Sequence, residues 1–375
     1  MKLILFITLA LFSCSSQNEK KEVSMTFLRN DIEVDLSSVT ISPMFASFTV
    51  VNVDDKLYHL FIYNERQLII TDLNNFRLEK IIPLKRGEGP DEINTIPRKA
   101  YMISEDRYLI ESFRFCYVVD GKGYVKHRVS LDDLLKDELK KGKVEFIDNL
   151  RVGGTKGSSV QVGNGEYLMT VLRKNYFIGE DYPYFPMFAT LSLSESEEIN
   201  IKVLPVTFPE DLIYDKGLSY GASEVPNYTV SGDWLVYNFY FSSNIYLYNL
   251  MTGEKRKIKA EVEDGNNHQL PIADKTIPIR RYLSIFSNVL YDSQNEIVYR
   301  NHITINEEDP ALSRNYMTAY TLQGEKLCEY YLGTNKEVNY LRNPFYHDGS
   351  IFMNPFYPSS DEKLDLVRLT LVDEK

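Results

Sequence analysis

The chain has 375 residues, a formal net charge of −11, and 43% hydrophobic residues. An acidic surface of this size argues against nucleic acid as a partner, because phosphates require clustered Lys and Arg side chains. The apolar content also excludes a chain that is disordered over most of its length.

The first 22 residues predict a lipid anchor followed by a tether. Lys2 precedes an apolar run, 3–12, of about ten residues, which suits a signal sequence and is too short for a membrane-spanning helix. The junction 11–14 resembles the bacterial lipobox, in which the cysteine receives lipid. We therefore expect a signal peptide at 1–13, lipid on Cys14, a solvated tether at 14–22 and a single folded domain at 23–375. The alternative is an ordinary cleaved signal peptide followed by a chance cysteine.

The residue after the cysteine bears on localisation. Ser15 stands there, and this resembles the outer-membrane class of lipoproteins rather than the inner-membrane class marked by aspartate. We expect a protein of the cell envelope, held on the outer membrane through lipid on Cys14. The sequence leaves the periplasmic and the surface side both open.

Five hairpins of one kind follow the tether, each with a β-rich strand, a polar turn and a second strand. Their first strands end at equivalent turn-entry positions, which are Asp72, Asp120, Leu193, Asn249 and Thr321. Subtracting these numbers gives spacings of 48, 73, 56 and 72 residues. Such irregular spacings suit four-stranded blades with variable loops.

A sixth strand of the same type, 364–371, ends where its partner should begin. Residues 31–36 alternate polar and apolar side chains, as a half-buried outer strand does. The sequence therefore predicts an all-β fold, a six-bladed β-propeller closed by the N-terminal strand pairing with the C-terminal blade. A pair of β-sandwiches is the rival arrangement, but it does not require a terminal strand left without a partner. A helix is predicted at 130–141, with Ser130 as its N-cap.

The two cysteines beyond the anchor fall in the second and fifth predicted blades. Cys116 and Cys328 should then lie on opposite sides of the ring, too far apart for a disulfide bond. We predict two free, buried thiols. The five histidines stand alone, without the spacing of a zinc site, so neither a metal nor another cofactor is expected.

Two segments resemble a known group of proteins. The run 81–93 resembles the G-x-G-P-x-E segment after the first blade in Bacteroidetes lipoproteins with a TolB-like or NHL-like six-bladed propeller. The segments 282–286, 291–292 and 297–300 are similar to a motif of an uncharacterised family in that group. The resemblance implies a propeller over essentially the whole mature chain and implies little about activity.

Two sets of side chains are candidates for ligand binding. Glu88, Asp91 and Glu92 would bind a cation or a sugar hydroxyl if they faced the channel mouth. The alternative is that this glycine- and proline-containing stretch makes a tight connection between blades. Aromatic loops supply the second set, which comprises Tyr182, Tyr184, Phe185, Tyr220, Tyr346 and Tyr357. Rigid aromatic rings with a polar tip suit sugar or peptide surfaces, and the alternative for each ring is packing between blades.

No nucleophile elbow, zinc-protease motif or calcium loop is present, so no catalytic residue is assigned. The sequence favours a non-enzymatic, lipid-anchored binding module for a protein or glycan partner. The alternative is a periplasmic or surface hydrolase that uses channel carboxylates, with or without a metal. A scaffold within an envelope complex is a third possibility.

Overall fold

The computed structural model describes residues 25–35, 48–53, 56–112, 115–141, 150–152, 160–162, 166–173, 186–193, 198–213, 218, 220–263, 266–271, 284–337, 342–354 and 363–373. The expected signal peptide, the lipidation site Cys14 and the tether lie outside these residues. No helix in the described part of the chain has the length and apolar character needed to cross a membrane.

The chain enters the fold through strand β1 (Met25–Asp35), and the next eight strands form two four-stranded blades. Blade 1 comprises β2 (Phe48–Val53), β3 (Lys56–Tyr63), β4 (Gln67–Asp72) and β5 (Arg77–Pro83). Blade 2 comprises β6 (Pro97–Ser104), β7 (Arg107–Ser112), β8 (Phe115–Asp120) and β9 (Val125–Ser130). Helix α1 (Leu131–Lys141) follows blade 2 directly.

The middle of the chain forms blades 3 and 4. Blade 3 comprises β10 (Leu150–Val152), β11 (Val160–Val162), β12 (Glu166–Arg173), β13 (Phe188–Leu193) and β14 (Ile199–Val203). Because β10 and β11 both pair with β12, two short strands share the first position of this blade. Short 3₁₀ turns at Glu210–Leu212 and Gly221–Glu224 lead to blade 4. Blade 4 comprises β15 (Asn227–Ser231), β16 (Trp234–Phe239), β17 (Ser242–Asn249) and β18 (Lys255–Ile258).

The last third of the chain forms blade 5 and most of blade 6. Blade 5 comprises β19 (Ser284–Asp292), β20 (Ile297–Thr304), β21 (Arg314–Thr321) and β22 (Lys326–Thr334), with a 3₁₀ turn at Pro310–Leu312. Blade 6 begins with β23 (Arg342–His347), β24 (Ser350–Asn354) and β25 (Lys363–Asp373). Its fourth strand is β1, the first strand of the chain.

The pairing of β1 with β25 closes the ring. The two strands are antiparallel over their whole length, from Met25 opposite Asp373 to Asp35 opposite Lys363. Ile32 lies opposite Leu366, which is the neighbourhood that the sequence predicts. A single parallel pair, Asp35 with Arg77, then joins blade 6 to blade 1. The predicted six-bladed propeller with terminal closure is confirmed.

The core is divided among the interfaces between successive blades. Six clusters of buried apolar side chains occupy the six interfaces, including the one between blades 6 and 1. In that last cluster Val34 of β1 is fully buried together with Leu364 and Leu366 of β25 and Phe61 of blade 1. The ring is therefore held by contacts between large apolar faces as well as by strand pairing.

The turn-entry residues named from the sequence end the third strand of each of the first five blades. The Asp72 carboxylate accepts hydrogen bonds from the backbone N–H groups of Asn74 and Asn75 at 2.8 and 3.3 Å. Asn249 does the same for the two residues that follow Leu250. These Asx turns explain why a strand of this type stops at a short polar side chain.

The predicted helix is present. Ser130 Oγ accepts a hydrogen bond from Asp133 N at 3.3 Å, as an N-cap does. Leu131 and Leu135 are buried in the cluster between blades 2 and 3, so the helix covers one end of that interface.

Both cysteines in the described residues are free, as expected. Cys116 is fully buried in β8, whereas Cys328 of β22 is half-buried. The expectation of a second buried thiol is therefore wrong. Cys328 lies on the fourth strand of its blade, at the rim of the propeller, where one face of the strand meets solvent.

Candidate ligand-binding site

The direction of the strands divides the loops between two ends of the ring. The connections between blades and the turns between second and third strands lie at one end, which we call the connection face. The turns between first and second strands lie at the other end, which we call the hairpin face. Loops carry most binding sites in rigid scaffolds, so the site is sought at these two faces.

The glycine-rich segment 85–95 is the connection between blades 1 and 2, as the structural interpretation of the sequence predicts. Glu92 turns back into the loop, and its Oε2 accepts a hydrogen bond from Gly89 N at 2.9 Å. A Cβ atom on Gly87 would lie 2.0 Å from the same oxygen. The first glycine therefore makes room for the Glu92 carboxylate, and this carboxylate stabilises the loop.

The two other acidic residues of the loop face outward. Glu88 and Asp91 are both exposed. The backbone oxygen of Asp91 accepts a hydrogen bond from Val125 N at 2.9 Å, which fastens the loop to the outer hairpin of blade 2. A role for Glu88, Asp91 or Glu92 in holding a ligand stays a prediction.

An open pocket of about 290 Å³ lies beside this loop on the connection face. Its walls come from the turn between β3 and β4 and from the segment 86–94, and most of its lining is polar. The lining residues are Asn64, Glu65, Arg66, Arg86, Gly87, Glu88, Ile93 and Asn94. The structure therefore brings Glu88 together with two guanidinium groups, a second carboxylate and two amides.

Arg86 holds the two walls of the pocket together. Its Nη2 atom lies 3.3 Å from Glu65 Oε2 on the β3–β4 turn. Its Nη1 atom donates hydrogen bonds to the backbone oxygens of Ile93 and Thr95. The guanidinium group thus fixes the geometry of the pocket by ion pairing with one wall and hydrogen bonding to the other.

The β3–β4 turn is built from residues in an unusual conformation. Asn64 and Glu65 have φ angles of 47° and 58°, in the left-handed region. Three residues separate the paired strand ends Tyr63 and Gln67, and Arg66 N donates a hydrogen bond to Tyr63 O at 3.0 Å. Asn tolerates positive φ at such a turn, whereas Glu disfavours it. Strained residues are typical of functional sites, and here the strain directs the Glu65 carboxylate toward Arg86. The sequence interpretation missed this turn, although an Asn between two β-rich runs was the available signal.

Tyr220 lies on the same face but is buried. Its ring stacks on Phe241 with the centroids 3.5 Å apart and the planes 2° apart. Its backbone N–H donates to Glu224 Oε1 at 3.0 Å. With 4% of its surface exposed, Tyr220 packs within the core between blades 3 and 4. A ligand-binding role for Tyr220 stays a prediction.

Tyr346 lies near the hairpin face, away from the other candidates. It is half-buried in β23 and stacks on Tyr299 with a centroid distance of 5.8 Å. Burial and a hydrogen bond to Asp292 raise the pKa of its hydroxyl. The structure therefore does not place Tyr346 beside Glu88. The candidates Tyr182, Tyr184, Phe185 and Tyr357 lie outside the described residues.

A pair of opposite charges lies in the interior, between blades 2 and 3. Lys99 of β6 is the cross-strand neighbour of Glu111 of β7, and the two residues are 3% and 5% exposed. The Tyr101 hydroxyl donates to Glu111 Oε2 at 2.8 Å. Burial lowers the pKa of Lys99, and the Glu111 carboxylate opposes that shift. A buried pair of this kind stabilises one arrangement of the core and has no exposed surface for a substrate.

Within the part of the chain that the structure describes, no group of three or more His, Cys, Asp or Glu residues could hold a metal ion.

The ring, its six interface cores and the shared last blade define the class of protein, a six-bladed β-propeller. The chain belongs to the family described as domain of unknown function DUF4221, whose model matches residues 24–323.

One solved structure supports this fold. A crystal structure of a DUF4221 family member from Bacteroides vulgatus is similar, with a TM-score of 0.70 and 12% identity, over 94% of this chain and 100% of the other. A calcium-binding protein, regucalcin, from Agrobacterium tumefaciens matches with a TM-score of 0.47 and 10% identity, over 90% and 95% of the two chains. A luciferin-regenerating enzyme matches with a TM-score of 0.45 and 8% identity, over 91% and 95%. No curated protein sequence matches this chain.

Proposed function

We propose that this protein is a lipid-anchored module of the cell envelope that binds a protein or glycan partner through its connection face. The observation that carries the proposal is the polar pocket beside the 85–95 loop. Its carboxylates, guanidinium groups and amides supply both donors and acceptors, which sugar hydroxyls and peptide groups require.

The composition of the pocket favours binding over hydrolysis. Its eight lining residues include no hydroxyl, thiol or imidazole group that could act as a nucleophile or a base. Hydrolysis by two carboxylates would need both to be available, and Glu65 is already engaged by Arg86. A soluble product released from a captured glycan would instead favour the hydrolase.

The proposal of a lipid anchor is based on the resemblance of residues 11–14 to the lipobox. In this proposal Cys14 carries lipid, and the tether presents the propeller on the outer membrane. Within the intact chain, Cys14→Ala should move the protein from the membrane fraction to the soluble fraction, whereas Cys328→Ala should not.

The partner is sought by affinity capture from detergent-solubilised envelopes and on an array of surface glycans, with the full chain as bait. We expect Glu88→Gln and Arg66→Ala to reduce capture about tenfold, because each change removes a charged hydrogen-bonding group from the pocket. The matched control is Asp233→Asn, which removes an exposed carboxylate from the hairpin face. Equal capture by wild type and both pocket variants would contradict the proposal.

A separate arm of the same experiment addresses the aromatic loops. The double variant Tyr182→Ala/Tyr184→Ala is compared with wild type. If these rings contact the partner, capture should fall, since a buried aromatic contact dominates most interfaces. Undiminished capture of every partner would remove the aromatic loops from the proposed surface.

A further inference from the structure

A second pocket lies on the seam where the last blade meets the first, away from the connection-face pocket. It has a volume of about 260 Å³. Blade 1 contributes Leu73 and Phe76 from the turn between β4 and β5, and blade 6 contributes Phe345 and Phe352. We call it the seam pocket.

The floor of the seam pocket is aromatic and rigid. The rings of Phe345 and Phe352 stack with a centroid distance of 5.1 Å and an interplanar angle of 9°. Phe76 lies against Phe352 with its centroid 6.3 Å away. Flat rings fixed by mutual packing form a surface that suits an apolar or aromatic group.

Two residues of the seam pocket adopt the left-handed backbone conformation. Phe76 has a φ of 51° and Asp348 a φ of 44°. Positive φ is disfavoured for a bulky residue such as Phe, so the fold retains a locally costly conformation at the edge of this pocket. The same feature marks the connection-face pocket, at Asn64 and Glu65.

Arg368 supplies a positive charge to this apolar surface. Its Nε atom donates to Ser350 Oγ at 3.0 Å, and its guanidinium carbon lies 5.8 Å from the centre of the Phe352 ring. Other arginines, such as Arg86 and Arg256, pair with carboxylates at 3.3 and 2.7 Å. Arg368 has no such ion pair with any described residue. Among the described residues, Arg368 donates through Nε to Ser350, which leaves both terminal nitrogens to bind a carboxylate in bidentate fashion.

The remaining polar groups of the seam pocket lie at the β23–β24 hairpin. Asp348 is exposed there, and His347 is half-buried. Burial lowers the pKa of His347, which favours the neutral imidazole. Arg368 is therefore the cationic group of the pocket, and the Asp348 carboxylate stands at its exposed edge.

We propose that the seam pocket binds a small organic carboxylate, whose apolar body lies on Phe76, Phe345 and Phe352 and whose carboxylate pairs with Arg368. This site is separate from the proposed partner-binding face. Because its walls belong to the first and the last blade, an occupant also links the two blades and stabilises the closed ring.

The test uses hydrocinnamate as the probe and its neutral amide, hydrocinnamamide, as the control ligand. Titration calorimetry on the full wild-type protein should give saturable binding of the carboxylate with a Kd of about 1 mM or below. The Tm should rise with hydrocinnamate concentration. The amide should bind at least about tenfold more weakly, because it lacks the charge that pairs with Arg368.

Arg368→Gln should weaken hydrocinnamate binding about tenfold or more. The matched control is Arg128→Gln, since the Arg128 guanidinium also lies over a phenylalanine ring, 4.4 Å from the centre of Phe115, but in blade 2. This control should bind within about twofold of wild type. Asp348→Asn should tighten binding, because it removes a like charge from the edge of the pocket.

A second pair of variants separates binding from folding. Phe76→Gly removes part of the floor, and relief of the positive φ offsets part of the packing lost against Phe352, so binding should weaken while the unliganded variant keeps a cooperative unfolding transition. Glu296→Gly relieves a φ of 56° outside the seam pocket and should leave binding unchanged. Absence of saturable binding by wild type up to about 10 mM, or equal binding of acid and amide, would overturn the proposal.

Discussion

Single atoms decide how closely neighbouring blades approach each other at the rim. Gly123, in the outer hairpin of blade 2, has a φ of +87°, and its Cα lies against the backbone of blade 1. A Cβ atom there would meet Pro83 O at 1.8 Å. The backbone oxygen of Gly123 also accepts from Lys85 N at 3.1 Å, so this glycine positions the start of the loop that lines the connection-face pocket.

Gly123→Ala should therefore destabilise the protein by about 3 kcal/mol, from backbone strain plus the clash with Pro83. Gly349→Ala is the matched control, because Gly349 has a φ of +71° but an added Cβ would meet nothing within 4 Å. It should cost about 1 kcal/mol, the strain alone. Urea unfolding of both variants measures the difference, and equal losses would mean that the clash at Gly123 is relieved by movement of the loop.

At the residue scale, the buried imidazole of His302 makes the free energy of unfolding depend on pH. His302 is 2% exposed and stacks on Tyr316 with a centroid distance of 4.8 Å. Burial, with Arg300 and Lys326 nearby, lowers the pKa of His302 to about 3. Glu329 Oε2 lies 4.0 Å from Nε2, too far for a hydrogen bond that would hold a proton on the ring.

The folded-state pKa of about 3 lies below the ordinary value of 6.5, so the unfolded chain binds the proton more tightly. The contribution of His302 is complete above pH 6.5 and is lost as the pH falls from there toward 3. The free energy of unfolding should decrease by about 1.4 kcal/mol per pH unit in that window from this group.

His302→Phe keeps the stacked ring and removes the titration, so urea unfolding across this window should show a shallower decrease than wild type. His127→Phe makes the same change on the outer strand β9 and is measured as the control. Identical slopes for wild type and His302→Phe would contradict the assignment.

At the scale of elements, strand β1 closes the ring because it is the fourth strand of blade 6. Val34 is fully buried between β25 and blade 1, whereas Leu28 on the same strand is 54% exposed. Because six residues separate them, Leu28 and Val34 lie on the same face of β1, and it is the end of the strand at Val34 that packs into the interface closing the ring.

Val34→Asp should destabilise the protein by at least about 3 kcal/mol, because it places a carboxylate in an apolar interface. Leu28→Asp should change stability by less than about 1 kcal/mol. Urea midpoints and the rate of proteolysis measure both. A small effect of Val34→Asp would mean that the ring closes without β1.

The ring as a whole separates the two thiols. Cys116 belongs to blade 2 and Cys328 to blade 5, with two blades between them in either direction. Burial raises the pKa of Cys116 well above its ordinary value, and Glu111 adds to the shift. Its thiol is therefore both inaccessible and protonated in the folded protein.

In a Cys14→Ser background, mild oxidation should produce no intramolecular disulfide, and the folded protein should resist alkylation at Cys116. Both cysteines should react in denaturant. Mass spectrometry of alkylated peptides measures the outcome, with Cys116→Ala to identify the buried site. A peptide linked through Cys116 and Cys328 would contradict the order of the blades around the ring.

The sequence by itself determined the outer hairpins and the number of blades. Alternating apolar side chains and turn-entry residues such as Asp72 and Asn249 act within about ten residues, so strand ends could be predicted from neighbouring positions. The unpaired sixth strand then required β1 as its partner, which fixed the closure and the six blades. The family resemblance pointed to the same fold.

Only the tertiary structure decided which side chains meet. Tyr220 is buried and Tyr346 lies near the opposite face from Glu88, although the sequence named all three as candidates for ligand binding. Arg368 and Phe76 line the same pocket because the last blade packs against the first, and no local pattern encodes that arrangement. The physical reason is that pockets form between blades, where the packing of whole apolar faces sets the direction of each polar side chain at the rim.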